Sequence, residues 1–211
     1  FPRLMFPFVD RDFQRNSNAN TEFNLNYSYQ TRPDFARTIA GIGLKYRWDS
    51  YRQSNMFHTL DFLDLSYVYL PPYSISDEFR NKYLNSSTLL KYSYEDHLIL
   101  RTGYSFSYTS KLLQQRRNGF SAKAGIETAG NSFYGIASLL KTPKQENSYV
   151  IGNIKFSQYI KLDGEYSYTQ FLDPSNRIVY HIAMGIGIPY GYSSILPFEK
   201  RYCGGGANSV R

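Results

Sequence analysis

Polar and apolar residues alternate along much of this chain with a period of two. In Thr21–Gln30, Phe23, Leu25, Tyr27 and Tyr29 share one face, and Glu22, Asn24, Asn26, Ser28 and Gln30 share the other. In His97–Ser110, Leu98, Leu100, Tyr104, Phe106 and Tyr108 oppose Arg101, Gly103, Ser105, Ser107 and Thr109. In Lys161–Thr169, Leu162, Tyr166 and Tyr168 oppose Lys161, Asp163, Glu165, Ser167 and Thr169. In Arg177–Ile188, Ile178, Tyr180, Ile182, Met184, Ile186 and Ile188 oppose Arg177, His181, Ala183, Gly185 and Gly187. This is the pattern of strands whose two faces meet different surroundings. Weaker versions run through Phe35–Trp48, Thr59–Leu70, Thr88–Tyr94 and Gly119–Thr128. With Arg3–Phe8, the pattern predicts about nine strands.

Two architectures use such strands. A soluble sandwich buries the apolar face, whereas a membrane barrel turns it to lipid and keeps the polar face for the lumen. Length favours the barrel: globular strands run about 5–6 residues, spanning strands about 9–11, and several runs here reach the longer figure. Tyrosines gather near run ends, as at Tyr67 and Tyr69, Tyr92 and Tyr94, and Tyr104 and Tyr108. Barrels place aromatic girdles there. Connections fall into two kinds. Thr31–Asp34 and Asp173–Asn176 read as tight turns on one side of the sheet, with Pro and Asp supplying the geometry. Asp10–Asn20, Asp49–Met56 and Ala129–Gly152 read as longer polar loops on the other. Pro71–Ser87 falls on the short-turn side with a brief helix expected around Ser76–Tyr83, and Tyr94–His97 reads as a tight turn on the long-loop side.

Composition narrows the classes. Aromatics make up 18% of the 211 residues, with 21 Tyr and 15 Phe, which excludes a disordered chain. One cysteine excludes a disulfide scaffold. A mean hydropathy of −0.47 argues against a helical membrane protein but not against a barrel, whose polar lumen offsets its apolar exterior. Ile178–Phe198 carries no charge and is long enough for a membrane helix. It holds Pro189, Pro197, Gly185, Gly187 and Gly191, and it opens with strict alternation, so it reads as a strand and a loop. Phe1 opens without a basic-then-apolar leader, and the chain stops at Arg211 after a Gly-rich run, so a fragment of a longer barrel protein is expected.

Candidate chemistry is sparse. His58, His97 and His181 are far apart and lack metal-ligand spacing. Cys203 has no placed base or acid beside it, and Gly204–Gly206 lacks the Lys-Ser/Thr of a phosphate cradle. No catalytic residue, cofactor or metal is expected. Inward-facing charges carry more information. Arg37, Lys45 and Arg47 share one strand face, as do Lys123 and Glu127, and Lys161, Asp163 and Glu165; Arg101 faces inward on a fourth strand. Either they form a hydrated wall of mutual ion pairs, or they are a docking surface for a loop folded into the lumen. The net charge of +7 is spread over many strands with no single patch. That spread suggests anionic lipid head groups rather than nucleic acid.

The segment Leu196–Arg211, LPFEKRYCGGGANSVR, resembles the sixth-extracellular-loop signature of the BamA/TamA family of outer-membrane assembly and translocation barrels. Pro197, Phe198, Glu199, Tyr202, Gly205, Gly206, Ser209, Val210 and Arg211 match that loop motif. Lys161–Gly191 resembles the two strands leading into the loop, and YEDHLILRTGYSFSY and IETAGN resemble the TamA-like branch with lipoprotein relatives. Cys203 and Gly204 stand where that branch has an aromatic and a small residue.

The resemblance implies an antiparallel transmembrane β-barrel in the bacterial outer membrane. On a count of nine, residues 1–211 would supply the third to eleventh of sixteen strands, with periplasmic domains before them and the final strands after. It implies a non-enzymatic barrel that opens laterally and offers a strand edge to incoming protein. Its partners would be outer-membrane lipids and lipopolysaccharide, nascent outer-membrane or secreted cargo, its own periplasmic domains and accessory lipoproteins. It implies that Arg211 folds into the lumen and pairs with acidic residues. Two other classes stay open: a passive porin, which needs a constriction loop and an open lumen, and a barrel lipase or acyltransferase, which needs a Ser/His/acid set not visible here.

Overall fold

A computed structural model of the protein describes residues 18–33, 35–50, 53–71, 75–77, 80–81, 96–114, 117–131, 144–145, 148–151, 154–191, 193 and 195–202. They form a predominantly antiparallel β-structure with almost no helix. The long strands are β1 (Asn20–Thr31), β2 (Ala36–Ser50), β3 (Gln53–Tyr69), β4 (His97–Thr109) and β5 (Gly119–Ala129). Three short strands follow, β6 (Lys144–Gln145), β7 (Ser148–Ile151) and β8 (Ile154–Phe156). Then come the long β9 (Tyr159–Phe171) and β10 (Arg177–Pro189). The seven long strands pair in the order β1-β2-β3-β4-β5-β9-β10, each antiparallel to its neighbour. They run from 11 residues in β5 to 17 in β3, well beyond the usual globular length. Helix α1 (Lys111–Gln114) is a single turn between β4 and β5.

The alternation read from the sequence becomes the two faces of this sheet. Register carries it across: Glu22 pairs Lys45, Asp61 pairs Gly103, Gly103 pairs Glu127, Glu127 pairs Lys161 and Lys161 pairs Gly187. The polar sets of all seven strands therefore share one face. Phe23, Tyr27, Tyr104, Tyr166 and Ile182 stand exposed on the other, with Tyr108 partly covered beside Phe120. A bulge in β3 between Asp61 and Asp64 breaks strict alternation and turns both carboxylates to the polar face.

Several expectations change. Thr88–Tyr94 lies outside the described residues, as does Arg3–Phe8, but β3 pairs β4 directly, so no strand stands between them. Removing that strand from the count flips the direction of everything after it. Thr31–Asp34 and Asp173–Asn176 consequently lie at opposite ends of the sheet, not on one side. One end carries the connections 51–52, 110–118 and 172–176, all short. The other carries 70–96, 130–158 and the segment after β10, with the turn 32–35 its one short connection. The expected loop Asp49–Met56 is mostly strand, since Asp49 pairs Phe57 and Ser50 pairs Gln53. The expected loop Ala129–Gly152 contains β6 and β7. Of the helix expected around Ser76–Tyr83, the Arg80 amide donates to the Ser76 carbonyl at 2.9 Å. Tyr94 and Glu95 of the expected turn lie outside the described residues; Asp96 accepts from the Leu70 amide at 2.7 Å.

One pairing is parallel: β8 lies beside β4 at His97 and Leu98. The ladder between β4 and β5 stops at Arg101–Ala129. Gly130, with φ 82, turns the chain away there, a conformation glycine adopts without strain. The chain returns as β8 and takes the vacated place beside β4 before entering β9.

Candidate functional site

After β10 the chain folds back onto the polar face. Gly191, with φ 63, makes the reversal. The Tyr190 amide donates to the Gln158 carbonyl at 3.2 Å, and the Gln158 amide donates to Ser193 Oγ at 2.8 Å. Leu196 then packs on Ile99, Ala129 and Tyr159, a buried apolar cluster on β4, β5 and β9. Pro197 is buried, and a short 3-10 turn, Phe198–Lys200, follows, with the Lys200 amide donating to the Pro197 carbonyl at 3.0 Å.

Glu199, Lys200 and Tyr202 each meet a partner on the sheet. Glu199 Oε1 accepts from Arg37 Nη1 of β2 at 2.8 Å, and its Oε2 lies 3.1 Å from His97 Nε2 of β4. Burial alone would push this carboxyl up; the His97 hydrogen bond and the Arg37 charge outweigh that and hold it below the usual carboxylate range. Lys200 Nζ lies 3.3 Å from Glu127 Oε1 of β5. Burial and the nearby Arg101 charge push that ammonium below its ordinary value, partly offset by Glu127. The Arg201 Nε–H donates to the Leu196 carbonyl at 2.9 Å. The Tyr202 hydroxyl donates to Asp163 of β9, and Lys161 Nζ sits 4.2 Å from its ring centroid. Burial first, then the Asp163 carboxylate, raise that phenol.

The backbone of β10 makes room for this segment. A Cβ added at Gly185 would fall 2.5 Å from Tyr202 Cε1, and one at Gly187 would fall 2.8 Å from Leu196 Cδ1. Side chains from β2, β4, β5 and β9 thus converge on Leu196–Tyr202 beside the glycines of β10, as they do on the concave side of a curled sheet. The polar face is hereafter the inner face.

Beneath the segment runs a chain of charges. Lys45 Nζ lies 3.4 Å from Asp61 Oδ1, and Asp61 Oδ2 lies 3.6 Å from Arg101 Nη2. Arg101 donates from Nε to Asp64 at 2.5 Å and from Nη1 to Glu127 at 2.6 Å. The Tyr159 hydroxyl donates to Glu127 Oε1 at 2.6 Å. The β3 bulge lets Asp61 and Asp64 face one guanidinium together. At the edge, Arg47 pairs Glu22 at 3.0 Å.

The outer face is organised by aromatic rings. Trp48 stacks on His58 at 5.4 Å, and His58 Nδ1 lies 2.7 Å from the Tyr104 hydroxyl. Phe106 follows at 5.2 Å from His58, then Tyr108 on Phe120, Phe120 on Tyr166, and Tyr168 beside Tyr180. This belt crosses from β2 to β10. His58 and Phe106 share a ladder row with Ala124 and Gly164, while Tyr168 and Tyr180 lie four residues beyond Gly164 and Met184. At ~3.3 Å per residue and ~4.8 Å per strand, the belt climbs about 13 Å while crossing about 24 Å, a slope of about 30° to the ladder rows. A second group, Tyr27 and Tyr29 with Tyr67 and Tyr69, stands toward the other end. Trp48 lies eight residues from Ala40, which pairs both Tyr27 and Tyr67. With ~3.3 Å per residue and the same slope, the two groups stand about 23 Å apart. Between them the face shows Ile42, Leu65, Leu162 and Ile186, with Met184 at 74% exposure and Leu25 at 86%.

Of the motif residues, Pro197, Phe198, Glu199 and Tyr202 lie in the described segment; Gly205, Gly206, Ser209, Val210, Arg211 and Cys203 lie outside the described residues. Sequence reading gave His97 a bland structural role; here it reaches Glu199. His58 joins the outer belt, and His181 Nδ1 lies 2.7 Å from Ser167 Oγ. Among the described residues no group of His, Cys, Asp and Glu could hold a metal ion. No family model matches the chain, and no match was found among curated proteins or solved structures. The likeness of Leu196–Arg211 to the BamA/TamA loop therefore rests on those residues alone.

Proposed function

We propose that this chain is part of an antiparallel transmembrane β-barrel of the bacterial outer membrane, and that the barrel inserts or translocates other proteins. The observation carrying this reading is the seating of Leu196–Tyr202 on a charged inner face whose reverse side is apolar. Monomeric soluble proteins rarely leave a contiguous apolar patch of more than a few hundred Å² exposed. The spacing of about 23 Å between the aromatic groups fits the band of ~25 Å that barrels present to lipid, and the slope of about 30° approaches their strand tilt of ~35–45°. In this reading the end carrying 70–96, 130–158 and the folded-back segment is extracellular, and the short turns are periplasmic. Counted back from a sixth extracellular loop, the seven long strands would be the fifth to the eleventh of sixteen.

A chain of this kind needs no catalytic group, because its work is done by strand edges. Its partners would be lipid and lipopolysaccharide on the outer face, and nascent protein at an opened edge. A passive porin remains the second reading, since a segment lying across the inner face would also serve as a porin's constriction loop, and conductance separates the two. The test is the full-length protein in cells, with outer-membrane and secreted cargo followed by folding-dependent migration and surface exposure. Cargo loss on depletion, restored by wild type and not by Arg211→Ala, supports the proposal. Unchanged cargo together with a steady, ungated conductance in planar bilayers overturns it in favour of a porin.

A further inference from the structure

We propose that Leu196–Tyr202 is a self-sufficient latch, with Glu199 as its positioning residue, that stays seated on the inner face when the contact expected of Arg211 is broken. Residues 196–202 themselves reach four strands, β2, β4, β5 and β9. Leu196 supplies an apolar foot on Ile99, Ala129 and Tyr159. Glu199 divides its carboxylate between Arg37 on β2 and His97 on β4, two strands separated by β3. Lys200 takes Glu127 on β5, and Tyr202 takes Asp163 on β9.

The signs fix the register. Glu199 faces Arg37 and His97, and Lys200 faces Glu127, with Arg101 behind it. A slip of one residue in either direction sets Glu199 toward Glu127 or Lys200 toward Arg37. Like charges in a partly buried site exclude both. Glu199 is the residue on which this discrimination turns, because its two oxygens serve two different strands. The glycines at 185 and 187 leave the room that the Tyr202 ring and the Leu196 side chain fill. The latch needs the folded sheet and not the transport role, so it stands or falls separately from the function proposed above.

Trypsin reads the latch directly, since Lys200 and Arg201 both lie inside it. The full-length folded protein is digested at pH 8 in the detergent that keeps it native, and cleavage after residues 200 and 201 is timed by mass spectrometry. Glu199→Gln is expected to speed cleavage at least about tenfold, which corresponds to ~1.4 kcal/mol. Glu199→Asp should fall between wild type and Gln, because the charge is kept and the reach is shortened. Arg211→Ala should change the rate less than about threefold, ~0.65 kcal/mol on the same scale. Unaltered cleavage in Glu199→Gln, or opening by Arg211→Ala as large as that by Glu199→Gln, overturns the proposal. If Glu199→Gln does not fold, Arg37→Gln, which leaves Glu199 to His97, is read by the same criterion. Failure of both to fold also overturns it, since the segment would then be a structural brace and not a latch.

Discussion

Gly185→Ala should unseat Tyr202 while leaving the sheet intact. The φ of Gly185 is not in the left-handed region, so alanine meets no backbone strain there. The added Cβ falls 2.5 Å from Tyr202 Cε1, closer than real Cβ contacts come, and the ring must leave. Leaving breaks the hydrogen bond to Asp163, worth about 1.5–3 kcal/mol for a charged acceptor. It also ends the Lys161 contact with the ring, about 0.5–1 kcal/mol at an exposed site. Tyr202 is 48% exposed, so solvent screens both, and the lower end of the sum, about 2 kcal/mol, applies. At about 1.4 kcal/mol per factor of ten, that raises the undocked fraction of the segment about thirtyfold.

Hydrogen–deuterium exchange of amides 199–202 in the full-length protein reads that fraction, with β9 and β10 amides as the control for an intact sheet. A double-mutant cycle with Tyr202→Ala separates the clash from other effects of alanine at 185. Once the ring is gone, Gly185→Ala should add almost nothing. Wild-type protection in Gly185→Ala, or full additivity of the two substitutions, would refute the reasoning.

Glu127→Ala should lower the unfolding free energy by up to about 3 kcal/mol in denaturant titration, less than the ~3–5 kcal/mol of a dry pair because the inner face is partly hydrated. Docking of Leu196–Tyr202 should not weaken as pH falls from 7 to 5, since a proton taken up by His97 only adds attraction for Glu199. The Glu199 carboxyl is held below its ordinary value, so its contribution is complete above that value and lost as pH falls through the lowered one; earlier loss of trypsin-independent exchange protection at 199–202 would contradict this. Asp173 is likewise held low, first by the Asn176 side chain and then by the Ser175 and Asn176 amides. The turn between β9 and β10 should therefore loosen only as pH drops below the usual carboxylate range, visible as faster exchange at Asn176. Gly205→Val and Gly206→Val should reduce cargo assembly more than barrel level, measured on the same blots, and Arg211→Lys should restore assembly only partly because the bidentate fork is lost.

The faces of β1, β4, β9 and β10 were legible because each runs without a bulge, so side-chain parity survives from end to end. In β3 it does not. Asp61 and Asp64 are three residues apart and share a face, and alternation alone places them on opposite ones. The sidedness of the turns was misread because a strand was counted between Leu70 and His97 in the sheet, whereas β3 pairs β4 directly, and one strand more or less reverses every later direction. The short strands β6 to β8 escaped notice because runs of two to four residues carry too little period to see. The charges of the inner face were readable as a set, but not their partners. Arg37 looked like one more inward cation, and nothing local ties it to Glu199, 162 residues on. His97 carried no signal at all, since its role comes from a neighbour that only the fold supplies.

That separation of 162 residues has a kinetic consequence. Nearly every long strand here pairs with its neighbour in sequence, so the sheet can grow hairpin by hairpin, each step closing a short loop. The Arg37–Glu199 pair closes the longest loop described, and its entropy of closure is acceptable only after the intervening strands have shortened the path. Its formation therefore reports completion: a nascent chain that has laid down β1 to β9 still lacks it, and one that has added β10 and turned back acquires it in a single late step. A time-resolved label on residue 199 during refolding should respond last, after the strand amides are protected.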